Sequence, residues 1–237
     1  MKPSKFLSAE WRKLVMANYI IDPSLLAAYV PQKTELDFHN SNYYVSLVGF
    51  MFREVRVSGL RIPFHVHFPE VNLRFYVRYK ENGEWKRGVV FLKEIVPKPA
   101  ISFVANTFFG ERYITLPMKH EWLIKENELQ VKYEWKYKNW YSVSVTADKN
   151  KQPIQAGSDE EFITQHFWGY TSMNGNRTGE YHVSHPAWEV YPVHSYSIQC
   201  DFAGLYGETF KQLTHQTPYS VFLAEGSEVE VFNKRII

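Results

Sequence analysis

Cysteine is almost missing from this chain. Cys200 is the only one in 237 residues, which excludes an intrachain disulfide and a zinc site built from several thiolates. Long hydrophobic runs are missing too. No stretch approaches the ~20 apolar residues of a spanning helix, and the N-terminal MKPSKFLSAEWRKLVMANYII has neither the unbroken apolar core nor the small-residue cleavage site of a secretory signal. The expectation is a soluble, unprocessed, cytoplasmic protein. Charge of one sign is not in excess: 27 basic and 25 acidic residues leave a net +2. They are interspersed, so the sequence gives no ground for a nucleic-acid or membrane-surface partner. There is no phosphate-cradling glycine loop, dinucleotide fingerprint or nucleophile elbow, no repeat and no low-complexity tract. No cofactor is expected.

What the chain has in abundance is aromatic side chains, 17% of the residues. These favour pleated strands and also line ligand pockets, which points to a sheet-rich protein with a cavity. The spacing of Trp11, Leu14, Val15 and Tyr19 behind Ser8 predicts a helix over 9–19. Asp22-Pro23 predicts a second short helix ending before Pro31. Period-two patterning then takes over: a long apolar strand over 43–52, a bent strand over 53–68 interrupted by Gly59 and Pro63, and a clear alternation from Glu70 to Arg78. Asn82-Gly83 signals a hairpin into a partner strand over 87–96. Residues 100–109 read as a helix capped by Gly110. A hairpin with one wet face spans 129–145, and a helix over 159–168 starts at Ser158 with Glu161 in a capping box. The Gly-, Asn-, Ser- and Thr-rich tract 169–179 reads as a loop. Short strands are expected at 180–183, 188–193, 220–224 and 228–232, with a helix or turn near 207–213.

Reactive side chains concentrate between Val48 and Val96. In FHVHFPE, an extended backbone puts His65 and His67 on one face, and Glu70 a few residues on could complete a facial set of metal ligands. The spacing from Gly59 to His65 resembles the opening of a cupin motif, but Glu70 comes one residue early and no second motif follows. The more frequent state of such histidines is a surface or hydrogen-bonded one. Glu70, Asn72, Arg74 and Tyr76 share a strand face. That face is either solvated or, in a barrel, the wall of a cavity where Arg74 binds a carboxylate and Glu70 acts as a base. Lys93 sits in an apolar strand, where desolvation lowers a lysine's proton affinity and equips it for Schiff-base chemistry, unless it snorkels to solvent. Cys200 reads as a buried small residue.

The succession FLSAEWRKLVMANYIIDPSLLAAYVP, TELDF, YYVSLVGFMF, IPFHVHFPEVNLRFYV, RGVVFLKEIVPKPAI and HPAWEVYPV resembles the YqjF-like family of uncharacterised bacterial proteins, grouped with the acetoacetate decarboxylase-like superfamily. The resemblance covers most of the chain. It implies one domain over 1–237, α+β but mainly β: an antiparallel β-barrel or cone with an internal cavity and flanking helices. It further implies a site in which a lysine, preceded by a second lysine, forms a Schiff base with a β-keto acid near a glutamate and an arginine. Glu70 matches that glutamate. Lys119 matches the reactive lysine, but Met118 stands where its neighbour is expected, so the device that lowers the lysine pKa is incomplete. The reading is therefore a barrel that binds a small polar or carboxylate-bearing organic ligand in a cavity lined by Glu70, Asn72, Arg74 and Tyr76. Turnover is left open. The rival readings are a carbonyl enzyme using Lys119 or Lys93 and a metal enzyme using His65, His67 and Glu70. A homo-oligomer is also left open.

Overall fold

The computed structural model describes residues 4–237. Its strands are β1 (Lys5–Ile20), β2 (Thr34–Leu36), β3 (Tyr44–Val57), β4 (Phe68–Glu81), β5 (Glu84–Val96), β6 (Tyr113–Thr115), β7 (Met118–Lys125), β8 (Glu128–Tyr137), β9 (Asn139–Asp148), β10 (Gln152–Pro153), β11 (Trp168–Met173), β12 (Arg177–Ser184), β13 (Glu189–Tyr191), β14 (Val193–Gln199), β15 (Ser220–Phe232) and β16 (Arg235–Ile236). Short helices α1 (Pro99–Val104), α2 (Asp159–Thr164) and α3 (Phe202–Tyr206) flank them. Among the described residues no helix is long and apolar enough to cross a membrane.

The protein is mainly β. A 12-stranded sheet runs through β15, β1, β3, β4, β5, β11 and β12, and β12 pairs again with β15, so the sheet curls back on itself. A second sheet, β14-β9-β8-β7, covers part of its outer face. Between the two lies one core, where Val15, Val45, Leu47, Leu73 and Phe75 pack with Val131, Tyr133, Trp135 and Val143. Gly49 permits this approach, because a Cβ there would lie 2.9 Å from the Tyr133 ring. The inner face carries a separate cluster, including Leu14, Phe50, Phe52, Phe68 and Val89. The alternation from Glu70 to Val77 thus holds with both faces buried: Val71, Leu73, Phe75 and Val77 go to the outer core, their neighbours to the inside.

Several local expectations are corrected. Residues 9–19 are strand, not helix. The apolar spacing looked helical because Lys13, with φ 54°, is an extra residue in β1: opposite β3 the register steps from Arg12/Met51 to Val15/Gly49. Such a bulge turns period two into a local step of three. The second predicted helix is a pair of 3-10 turns, Pro23–Leu25 and Ala27–Tyr29. The strand before Phe68 ends at Val57, and the path from Ser58 to His67 is a loop. The tract 169–179 is mostly strand, the β11–β12 hairpin. Gly175 makes the hairpin turn, with φ 75°, and the other two glycines serve packing, since a side chain on Gly169 would overlap the Tyr181 ring and one on Gly179 would reach Lys234 Cδ at 2.8 Å. The strands expected at 220–224 and 228–232 are one, β15.

Asn82 and Gly83, with φ of 52° and 89°, make the predicted hairpin turn. Gly110 caps the helical segment after α1 in the left-handed region. Ser158 caps α2, accepting from the Glu161 N–H at 3.2 Å, while Glu161 accepts from the Gly157 N–H at 2.8 Å. Replacing Ser158 by Ala removes an acceptor from a helix end that packs Phe162 and Ile163 on the inner cluster. The expected loss is about 1 kcal/mol in urea unfolding, and an unchanged midpoint would show that the cap is silent.

Candidate functional site

The curled sheet encloses a cavity of about 380 Å³. Its wall is largely apolar, with Trp11, Leu14, Phe50, Phe52, Phe68 and Phe91 among the lining side chains. Into this wall the sheet sets a polar group. Glu70, Asn72 and Arg74 come from successive inward positions of β4, Glu94 from β5, Glu111 and Tyr113 from the segment after α1, and Tyr181 from β12. Glu70 is 2% exposed, Asn72 1%, Arg74 8% and Glu94 2%.

Glu70 accepts from Asn72 Nδ2 at 2.9 Å and from the Tyr113 hydroxyl at 3.0 Å. The Tyr181 hydroxyl donates to Glu111 at 2.8 Å. Burial nonetheless dominates all three carboxyl groups. It pushes Glu70 up to about 7 against the pull of Asn72, Tyr113 and Arg74, and pushes Glu111 up to about 7 against Tyr181 and Lys234. Glu94 rises well above the ordinary carboxylate range, through burial and then the charges of Glu111 and Glu70. Desolvation of this kind disfavours the charged form and keeps a carboxyl able to donate a proton near neutrality.

Arg74 is the fixed cation of the cavity wall. Among the described residues its guanidinium has as hydrogen-bond partners only the Ile163 carbonyl at 3.5 Å and the Met16 sulfur at 4.0 Å, and lies 5.7 Å from the Tyr76 ring centroid; its Nε has no partner. Asn72 Oδ1 and Glu94 Oε2 are likewise buried and unpartnered. His166, just past α2, also lines the cavity. Its Nε2 lies 3.2 Å from Asp37 Oδ2, and Arg87 grips the same carboxylate through Nε at 2.6 Å and Nη2 at 3.2 Å. Burial lowers the His166 pKa, so the ring is neutral near neutrality and its Nε2 carries the proton donated to Asp37.

The structure therefore gathers Glu70, Asn72 and Arg74 at one cavity, with His65 also on its wall, and places Tyr76, Lys93, Lys119 and His67 elsewhere. Tyr76, next along the same face, closes a polar chain: its hydroxyl is 2.7 Å from Ser46 Oγ, which donates to Asn18 at 2.6 Å. Lys93 faces away from the cavity and donates to the Leu205 carbonyl; burial, then Arg112, lowers its pKa. Lys119 lies on β7 in the second sheet, its ammonium 4.5 Å from the Trp140 ring centroid. The two histidines do not share a strand face. His65 lines the cavity with Nδ1 2.8 Å from the Pro63 carbonyl, whereas His67 turns to Glu54, 3.5 Å away. Among the described residues no group of three or more His, Cys, Asp or Glu side chains is arranged to hold a metal ion.

The sequence reading missed Glu94, Glu111, Tyr113, Tyr181 and His166. Glu94 is the instructive one. Simple alternation with Val89 and Phe91 would send Lys93 inward. Opposite β4, however, the register steps from Arg74/Phe91 to Leu73/Lys93, and the extra residue, Leu92, joins the outer core. From that bulge on, the even-numbered position faces the cavity, and a carboxyl replaces an ammonium there.

Residues 8–228 match the DUF2071 family, described as an uncharacterized conserved protein. The chain is 32% identical over 159 residues to the uncharacterized protein YqjF of Bacillus subtilis (strain 168), an alignment that takes in 67% of this chain and spans 62% of that protein's length. Among solved structures it superposes on the acetoacetate decarboxylase of Legionella pneumophila with a TM-score of 0.66 at 14% identity, covering 99% of this chain and 88% of that one. It superposes equally on the enduracididine biosynthesis enzyme MppR complexed with pyruvate, with a TM-score of 0.67 at 13% identity, covering 100% and 91%. At such identities the likeness establishes the fold. The chain therefore belongs to the DUF2071 family, is YqjF-like, and has the acetoacetate decarboxylase-like fold.

Proposed function

We propose that the cavity binds a small organic acid, with its carboxylate against Arg74. The supporting observation is the state of that arginine. A guanidinium cannot shed its proton, and a buried charge without a counter-ion is costly. Arg74 is 8% exposed, has an unpartnered Nε, and meets no carboxylate within hydrogen-bond reach among the described residues. An anionic ligand supplies what the protein leaves out, and charge-assisted hydrogen bonds to a carboxylate are among the stronger ones. The neighbouring carboxyl groups do not repel it while they hold their protons, and they can donate to its oxygens. The pyruvate bound by the structural neighbour MppR shares the carboxylate.

A Schiff base at Lys93 or Lys119 draws less support. Neither lysine lines the cavity, and covalent chemistry needs the nucleophile within reach of the bound carbonyl.

Calorimetry with benzoate, benzamide and the Arg74→Met variant tests the binding reading. Benzoate is expected to bind more tightly than its neutral amide. Arg74→Met is expected to weaken benzoate at least tenfold, about 1.5–3 kcal/mol for hydrogen bonds to a charged group, while leaving folding stability equal or higher. Equal affinity for acid and amide would sink the proposal.

A further inference from the structure

The cavity is poorly matched to an acid of three or four carbons. About 380 Å³ lies within the range of pockets that enclose drug-sized ligands. One part of its wall carries the linked groups Glu70, Asn72 and Tyr113 beside Arg74. Apart from Glu94, the Tyr181–Glu111 pair and the rings of His65 and His166, the rest of the wall is hydrocarbon: Phe6, Leu7, Val55, Val57, Val183 and Val231 continue the aromatic lining already described. The apolar surface does not stop at the wall. Ile62, from the loop after β3, lines the cavity and is 43% exposed, and in the same loop Leu60 and Phe64 are 68% and 88% exposed. The helical segment that supplies Ile101, Val104 and Ala105 to the cavity also carries Phe103 and Phe108, exposed by 68% and 61%. Two elements that border one apolar cavity thus both carry large exposed apolar side chains, the kind of surface found at ligand-binding grooves.

We propose that the ligand is an amphiphile: a carboxylate held at Arg74, and an alkyl or aryl-alkyl body that fills the aromatic half of the cavity and leaves between the 58–67 loop and the helix carrying Phe103 and Phe108. The proposal rests on the carboxylate reading and adds the body. Each methylene buried against that wall leaves water. Phe64 and Phe103 cover the part of a longer chain that extends beyond the mouth. Short acids satisfy Arg74 alone.

Isothermal calorimetry with butanoate, hexanoate, octanoate and decanoate at one pH and salt concentration, below their micellar range, reads the body directly. Affinity is expected to rise about fourfold per methylene buried, the equivalent of ~0.8 kcal/mol each. Phe64→Ser and Phe103→Ser, both at exposed positions, are expected to weaken decanoate several-fold and leave butanoate unchanged. A flat series in which butanoate binds as well as decanoate overturns the amphiphile and leaves the carboxylate reading standing. Octanol binding as tightly as octanoate overturns the carboxylate reading and leaves the apolar body. Decanoate affinity untouched by both serine variants overturns the exit between loop and helix, and no binding by any member overturns both readings.

Discussion

Glu94→Gln is expected to gain stability over the parent protein as pH rises from 5 to 8, by at most about 1.4 kcal/mol per pH unit. The sign follows from where the proton sits. In the unfolded chain Glu94 ionises near pH 4.5, whereas in the folded protein burial, aided by Glu111 and Glu70, keeps it protonated well above that. Between those values the folded state holds the extra proton, so stability falls as pH rises, by about 1.4 kcal/mol per pH unit for each proton so held. The contribution is complete below the unfolded pKa and is lost as pH rises through the folded one. Glu70 and Glu111, each pushed up to about 7, fall in the same direction and share the penalty. Glutamine keeps the shape of the neutral acid and removes its titration, so the variant's stability should decline less steeply from pH 5 to pH 8. Urea unfolding at four pH values measures this. Parallel curves for the two proteins would show that Glu94 reaches water after all. The same linkage bears on ligand. An anion at Arg74 favours protonated neighbours, so acid binding should take up protons and tighten as pH falls through about 7, until the ligand itself protonates.

How far the site could be read from sequence depended on whether alternation survived. Along β4 it did: no bulge interrupts the inward positions of Glu70, Asn72 and Arg74 opposite β3, and the strand face read from sequence is the face the structure buries. In β1 and β5 single extra residues, Lys13 and Leu92, break the alternation. The first made a strand look helical; the second hid Glu94 and brought Lys93 forward. Pattern reading has no signal for a bulge, because the cause is tertiary: the opposite strand and the packed face decide which residue is left unpaired. Glu111 and Tyr113 were hidden for another reason. They reach the cavity because β6 pairs in parallel with the end of β5, a non-local contact with no local spacing. Glycine misled in the opposite sense at 169–179, where Gly169 and Gly179 mark the close approach of Tyr181 and Lys234 and Gly175 alone sits in a turn. The helix ends were legible, since Ser158 and Gly110 act within a few residues of themselves.

Asp37→Asn should be the most damaging single change near the site, costing on the order of 3 kcal/mol at pH 7. Asp37 is 2% exposed and takes four donors: Arg87 Nε and Nη2, His166 Nε2, and the Phe38 N–H at 3.0 Å. Burial opposes its charge, but the hydrogen bonds from His166 and Arg87, with the charge of Arg87, outweigh it and hold the carboxyl well below the usual range. Asparagine cannot reproduce this, because Arg87 donates to both oxygens and one must become an NH₂ group facing a donor. The loss is tied to ionised Asp37, so it should shrink as pH falls below about 4, where the unfolded carboxyl is protonated and the native protein begins to lose the same contribution. Unfolding at pH 7 and pH 3 separates this from a simple packing defect, which would cost the same at both. A second readout concerns the cavity wall. With Asp37 ionised, the His166 proton sits on Nε2 and Nδ1 is bare and unpartnered. An amide NH₂ turned toward Nε2 reverses the tautomer and moves the proton to Nδ1. Nitrogen-15 shifts of the His166 ring should interchange in Asp37→Asn. If they keep their wild-type order, Asp37 contributes charge but does not set the protonation pattern of the cavity.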